Sequence, residues 1–166
     1  FSSDGRLLSE AGIQSPYIGG FNDTIEFDAN GGLIVCTAPF EDYTVEQITR
    51  FDAENRVLYQ KTLSAPKTIV SVTDAFPSAD GSVTLYGTAM ANSRKLFTLY
   101  RLDLDAQGNI AAVDIRDFTT RVGYLYDVRA DAQGHIYAIA CDYKKPIAVV
   151  PFEDLPAHDD PGLILE

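Results

Sequence analysis

The stretch "RLDLDAQGNIAAVD" (Arg101–Asp114) decides how this chain is read, because it fits two structures. An EF-hand calcium loop places oxygen ligands at positions 1, 3, 5, 7, 9 and 12 around a glycine at position 6. Asp103 then takes position 1, Asp105 position 3, Gln107 position 5, Gly108 position 6 and Asp114 position 12. The same letters describe a polar turn between two β-strands. In such a turn Asp accepts backbone N–H groups, and Gly takes the left-handed conformation that closes a hairpin.

Sister sequences favour the turn. "SSDG" ends at Gly5, "DANG" at Gly31, "DAEN" at Asn55, "SADG" at Gly81, "DAQG" at Gly108 and again at Gly134, with spacings of 26, 24, 26, 27 and 26. A looser seventh, "HDDPG", ends at Gly162. The sisters share the shape without the metal pattern: "EFDANGGL" carries Thr37 at position 12, and "VRADAQGHI" carries Arg129 at position 1. The turn therefore explains Asp105 and Gly108. Calcium stays as the second reading for Asp103, Asp105, Gln107 and Asp114, and the expected metal assignment is none.

The flanks read as strands. "SVTLYGTA" (82–89) and "GHIYAIAC" (134–141) are rich in β-branched and aromatic residues, and "KLFTLYRLD" (95–103) alternates apolar with polar. The nearest approach to a helical period, "VEQITRF" (45–51), falls where the repeat requires a strand. Turns preceding runs that end in small residues alternate with turns following aromatic-bearing strands. The unit is thus two hairpins, 50 to 53 residues between equivalent glycines. Four-stranded units of this length are the mark of β-propeller blades. The expected strands are 21–28, 33–38, 45–52 and 57–63 in the first unit, 70–78, 83–89, 96–103 and 110–118 in the second, and 124–131, 136–141 and 146–152 in the third. Residues 5–13 read as the last strand of a further unit.

The expectation is an all-β, propeller-like repeat of four-stranded antiparallel blades, about three of them, forming one domain over residues 1–166. Propellers typically have about four to eight blades. The expected context is therefore a segment of a longer propeller, with half of a six-bladed ring shared with a second copy, or a smaller open stack of sheets, as alternatives.

"DAQGHIYAIA" (131–140), "DLDAQGNI" and "SADGSVTLYGTA" resemble the strand–turn–strand core of quinoprotein-type and NHL-type propeller repeats. The resemblance implies the fold. It departs from the quinoprotein pattern in having no Trp, and no functional residue of those families maps onto this sequence.

Composition bounds the function. The chain carries a net charge of -11, with no basic cluster larger than Lys144–Lys145, so nucleic acid is not an expected partner. Apolar runs are strand-sized, which excludes helical membrane insertion. The two cysteines, Cys36 and Cys141, lie in apolar runs and read as buried thiols, and with only two histidines a zinc site lacks donors. The start at Phe1 and the acidic balance suit a trimmed, secreted or cell-envelope protein on the extracellular side. No cofactor is expected.

In the propeller reading the first strand of each unit lines a central channel. Asp23, Asp74 and Asp127 stand seven or eight residues before their turn glycines, the arrangement a propeller glycoside hydrolase or lyase could use. The loops opposite the turns carry Tyr17, Asp42, Tyr43, Arg94 and Tyr143, which suit a protein or carbohydrate partner. No G-x-S-x-G, phosphate-loop, metalloprotease or kinase motif is present. The expected role is an extracellular binding module. The alternatives are the carboxylate hydrolase or lyase, and a structural segment of a larger envelope protein.

Overall fold

The repeated turns take the form their letters dictate. The computed structural model describes residues 24–38, 44–91, 97–118, 124–142 and 145–166, with backbone alone at 91, 97, 124–126, 140–142 and 145–147. Asp28 Oδ1 accepts the backbone N–H groups of Asn30 (2.8 Å) and Gly32 (2.7 Å). The same two-on, four-on pattern recurs at Asp52, Asp105 and Asp131. Three residues after each of these Asp, the chain turns left-handed at Gly31, Asn55, Gly108 and Gly134. In "SADG" Ser78 takes the place of the leading Asp, and Asp80 instead caps Ser82 through its N–H and its hydroxyl. Gly108 is needed twice over: its φ is +77°, and a Cβ there would lie 2.8 Å from the Tyr59 ring.

These turns join strands into meanders. The first sheet holds β1 (Thr24–Phe27), β2 (Leu33–Thr37), β3 (Val45–Phe51) and β4 (Val57–Ser64). The second holds β5 (Thr68–Pro77), β6 (Val83–Ala91), β7 (Phe97–Leu104) and β8 (Ile110–Asp117). The third holds β9 (Tyr124–Ala130), β10 (Ile136–Asp142) and β11 (Lys145–Pro151). Sequential strands pair antiparallel within each sheet. The chain is all-β, and every expected strand that falls on described residues is present within a few residues of its expected ends.

The three sheets stack in chain order. β1 lies against β5, and β5 against β9. Ile34, Cys36, Ile48 and Leu63 of the first sheet meet Val72, Leu85, Tyr100 and Leu102 of the second. On its other face the second sheet presents Tyr86 and Leu99, with Phe118 following β8, to Val128, Ala138 and Val150 of the third. Adjacent residues such as Leu85 and Tyr86 thus enter opposite cores, because side chains alternate along a strand. Gly87 leaves room for Tyr100, whose hydroxyl donates to the Ser71 carbonyl at 3.0 Å. Cys36 is a buried free thiol, as expected, and the Cys141 side chain lies outside the described residues.

The C-terminal segment departs from the repeat. After β11 the chain makes one 3-10 turn (Phe152–Asp154) and runs back along the outer edges of the sheets. Asp117 donates its N–H to the Pro156 carbonyl (2.7 Å), and His158 donates to that of Ile115 (2.9 Å). A second turn follows at Asp160–Gly162, and β12 (Ile164–Leu165) then pairs antiparallel with β4. "HDDPG" is therefore a bend in a strap, not the turn of another unit. The strap satisfies edge N–H and C=O groups of two sheets that would otherwise template aggregation.

Candidate functional site

The residues singled out from sequence fall into three groups. Tyr17, Asp23, Asp42, Tyr43, Arg94 and Tyr143 lie outside the described residues.

The calcium-loop residues do not converge. Asp103 accepts from Thr84 Oγ1 (2.7 Å) and from Arg101 Nε (3.1 Å), with Arg101 Nη2 at 2.9 Å from its other oxygen. Asp114 takes Arg116 bidentately, at 2.8 and 2.7 Å. Asp105 caps the turn, and the Asn109 backbone N–H and side-chain amide hold its carboxyl below the usual range. Gln107 contributes its backbone N–H to that cap. Each arginine stands two residues from its acid on the same strand face, so "RLD" and "DIR" carried the ion pairs in plain view. Among the described residues no group of three or more His, Cys, Asp or Glu is arranged to hold a metal.

Of the three acids, Asp74 and Asp127 lie near one another and share an arginine. Asp74 and Asp127 occupy register-equivalent places, opposite Tyr86 and Ile139, each beside a bulge. Each accepts the N–H of the next residue at 2.9 Å. Arg129 joins them, with Nη1 at 2.8 Å from Asp74 and Nη2 at 2.9 Å from Asp127. Asp74 is buried, and desolvation pushes its pKa up against the opposing pull of the Ala75 N–H and Arg129. The equivalent place in β1 is Thr24, opposite Cys36. Its hydroxyl donates to the Val72 and Thr73 carbonyls, each at 3.3 Å. At this level of the stack each sheet is tied to the next by a polar bond. Asp74 and Asp127 spend their carboxylates on Arg129 and on the backbone N–H groups of the next residues, so the resting arrangement holds sheets together.

Sequence reasoning missed a cleft between two of the sheets. At the turn end the second and third sheets part, leaving a cleft of about 560 Å³. The second sheet contributes Phe76, Thr84, Tyr86 and Arg101, two cross-strand pairs in neighbouring rows. The third contributes His135, Ile136, Tyr137 and Pro151, and Glu153 stands at the rim. Tyr86 forms the floor. It is 3% exposed, packed edge-on against Phe76 (5.7 Å between centroids) and Phe152 (5.4 Å). Its hydroxyl has no hydrogen-bond partner among the described residues, and burial pushes its pKa up to about 12, so it stays neutral. Arg101 Nη1 has no partner among the described residues after the pairing with Asp103. His135 turns Nδ1 to Asp131 (2.8 Å), leaving Nε2 uncommitted. The signal available in sequence was the matched parity of Thr84 with Tyr86 and Arg101 with Asp103, but only the strand register brings the pairs side by side.

No protein-family model, curated protein or solved structure matches this chain.

Proposed function

We propose that this chain is an extracellular binding module on a propeller-type scaffold, and that it takes its ligand between the second and third sheets. Two features support the scaffold. The antiparallel meanders succeed one another at 50 to 53 residues, and β5, the first strand of the second sheet, lies against the first strands β1 and β9 of the sheets on either side. The observation that carries the function is the cleft itself. It is concave, walled by aromatic and aliphatic side chains, and floored by the Tyr86 ring, whose hydroxyl has no hydrogen-bond partner among the described residues, the usual composition of a small-ligand site.

The competing reading, a hydrolase or lyase, draws on the convergence of Asp74 and Asp127 at Arg129. The protein incubated with immobilised glycan and peptide panels, with released product followed in parallel, separates the two. A binding module retains a ligand and releases nothing, and D127N retains it equally well. Product formation by the parent chain that D127N abolishes would establish the enzyme, and retention on neither panel would remove the binding role.

A further inference from the structure

We infer that the cleft between the second and third sheets binds a neutral sugar unit, with the Tyr86 hydroxyl and Arg101 as its polar anchors. The inference rests on the reading of the chain as a binding module and goes beyond it by naming the ligand chemistry. Charge excludes the alternatives first. The one arginine in the cleft is already neutralised by Asp103, and the nearby ionisable groups are otherwise Glu153 and Asp131, the latter holding His135. A carboxylate or phosphate ligand would meet no unpaired cation and one exposed acid. A cation would gain only Glu153, which is largely in water, where such pairs contribute little.

Shape and hydrogen bonding then select. A sugar ring has an apolar C–H face and a rim of hydroxyls that both donate and accept. The cleft offers the complement. Phe76 and Tyr137 supply rings, and Ile136 and Pro151 supply aliphatic wall. On the second-sheet side Tyr86 donates and accepts, Arg101 Nη1 donates, and Thr84 Oγ1 retains acceptor capacity after donating to Asp103. These groups occupy adjacent cross-strand positions, as neighbouring hydroxyls on one ring require. The volume admits one or two sugar rings. Tyr86 is fixed by its two edge-on ring contacts, so its hydroxyl is ordered before the ligand arrives.

The test is a two-dimensional NMR titration with methyl glycosides of glucose, galactose and mannose and with N-acetylglucosamine, with glucuronate and glucosamine as charged comparators. The expected result is saturable shifts from at least one neutral sugar, confined to amides of Thr84–Tyr86, Arg101 and His135–Tyr137. Tyr86→Phe removes one hydrogen bond and weakens that sugar about three- to tenfold, while leaving the melting temperature unchanged because no protein partner is lost. Arg101→Gln weakens it further. The inference is overturned if no neutral sugar shifts these amides, if Tyr86→Phe binds as well as the parent, or if a charged comparator binds more tightly. A glycan retained on the panel with shifts mapping elsewhere sinks the cleft assignment and leaves the binding module standing.

Discussion

The two faces of the second sheet behave differently. Toward the first sheet it closes completely: Leu85, Leu102 and Tyr100 are fully buried, and the turns of the two sheets touch where Asn30 Nδ2 donates to the Ala79 carbonyl (3.3 Å). Toward the third sheet it closes at Leu99 and Phe118 but opens at the turn end into the cleft. One interface is a sealed core with the Arg50–Asp28 ion pair at its margin, and the other is half core and half cleft. A repeated unit gives each sheet two similar faces. What differs is at the turn end of the third-sheet side, where Thr84, Tyr86 and Arg101 line the cleft.

Substitutions can break or sharpen that contrast. The largest effect is expected from Leu85→Ala in the sealed core, a loss of about 3 kcal/mol from burial and cavity terms, whereas Phe76→Ala at the half-buried cleft wall costs about 1 kcal/mol. Equal losses by chemical denaturation would contradict the asymmetry. Gly87→Ala comes next. A Cβ there meets the Ser71 carbonyl and the Tyr100 ring, so the strand must shift, at a cost of about 2 kcal/mol.

Arg129→Met follows, at about 1 kcal/mol at neutral pH, since the arginine is itself largely exposed while Asp74 is not. Its sign with pH is fixed by burial. Asp74 has a folded pKa raised above its unfolded value, so the native state binds its proton more tightly, and stability falls as pH rises from the ordinary carboxylate range through the folded pKa. Removing Arg129 enlarges that fall, and its deficit shrinks in acid, where Asp74 is protonated. Melting curves of parent and variant should therefore converge at low pH. The smallest effect is expected at the turns. Asp105 has a lowered pKa, so its contribution is present above the unfolded value and is lost as pH falls through the folded one. Asp105→Asn keeps an acceptor for the cap and should flatten the acid limb of the melting curve.

Much of the architecture was legible because the turns are local. An Asp that caps N–H groups two and four residues on, followed by a left-handed Gly or Asn, is written into a few consecutive letters, and its recurrence places eleven strands. The strap was not legible. Residues 156–158 and β12 pair through backbone groups alone, and edge pairing of that kind leaves no side-chain period to read. The metal-like look of Asp103 and Asp114 comes from acid spacing alone, whereas the arginines two residues away, Arg101 and Arg116, turn both carboxylates into ion pairs. The cleft was missed for a different reason. Tyr86 and Arg101 are fifteen residues apart and become neighbours only through register, and Tyr137 reaches them only through the stacking of two sheets. Asp74 and Asp127 were legible as equivalent positions but not as partners, because the bridging Arg129 counted only against calcium.

Native-state hydrogen exchange tests the contrast between the two interfaces most directly. Amides of β2, β3, β6 and β7, around the sealed core, should exchange only through global unfolding. Amides of β9 and β10 should exchange through a partial opening of lower free energy, lower still in Arg129→Met. A single exchange free energy shared by all three sheets would contradict the account.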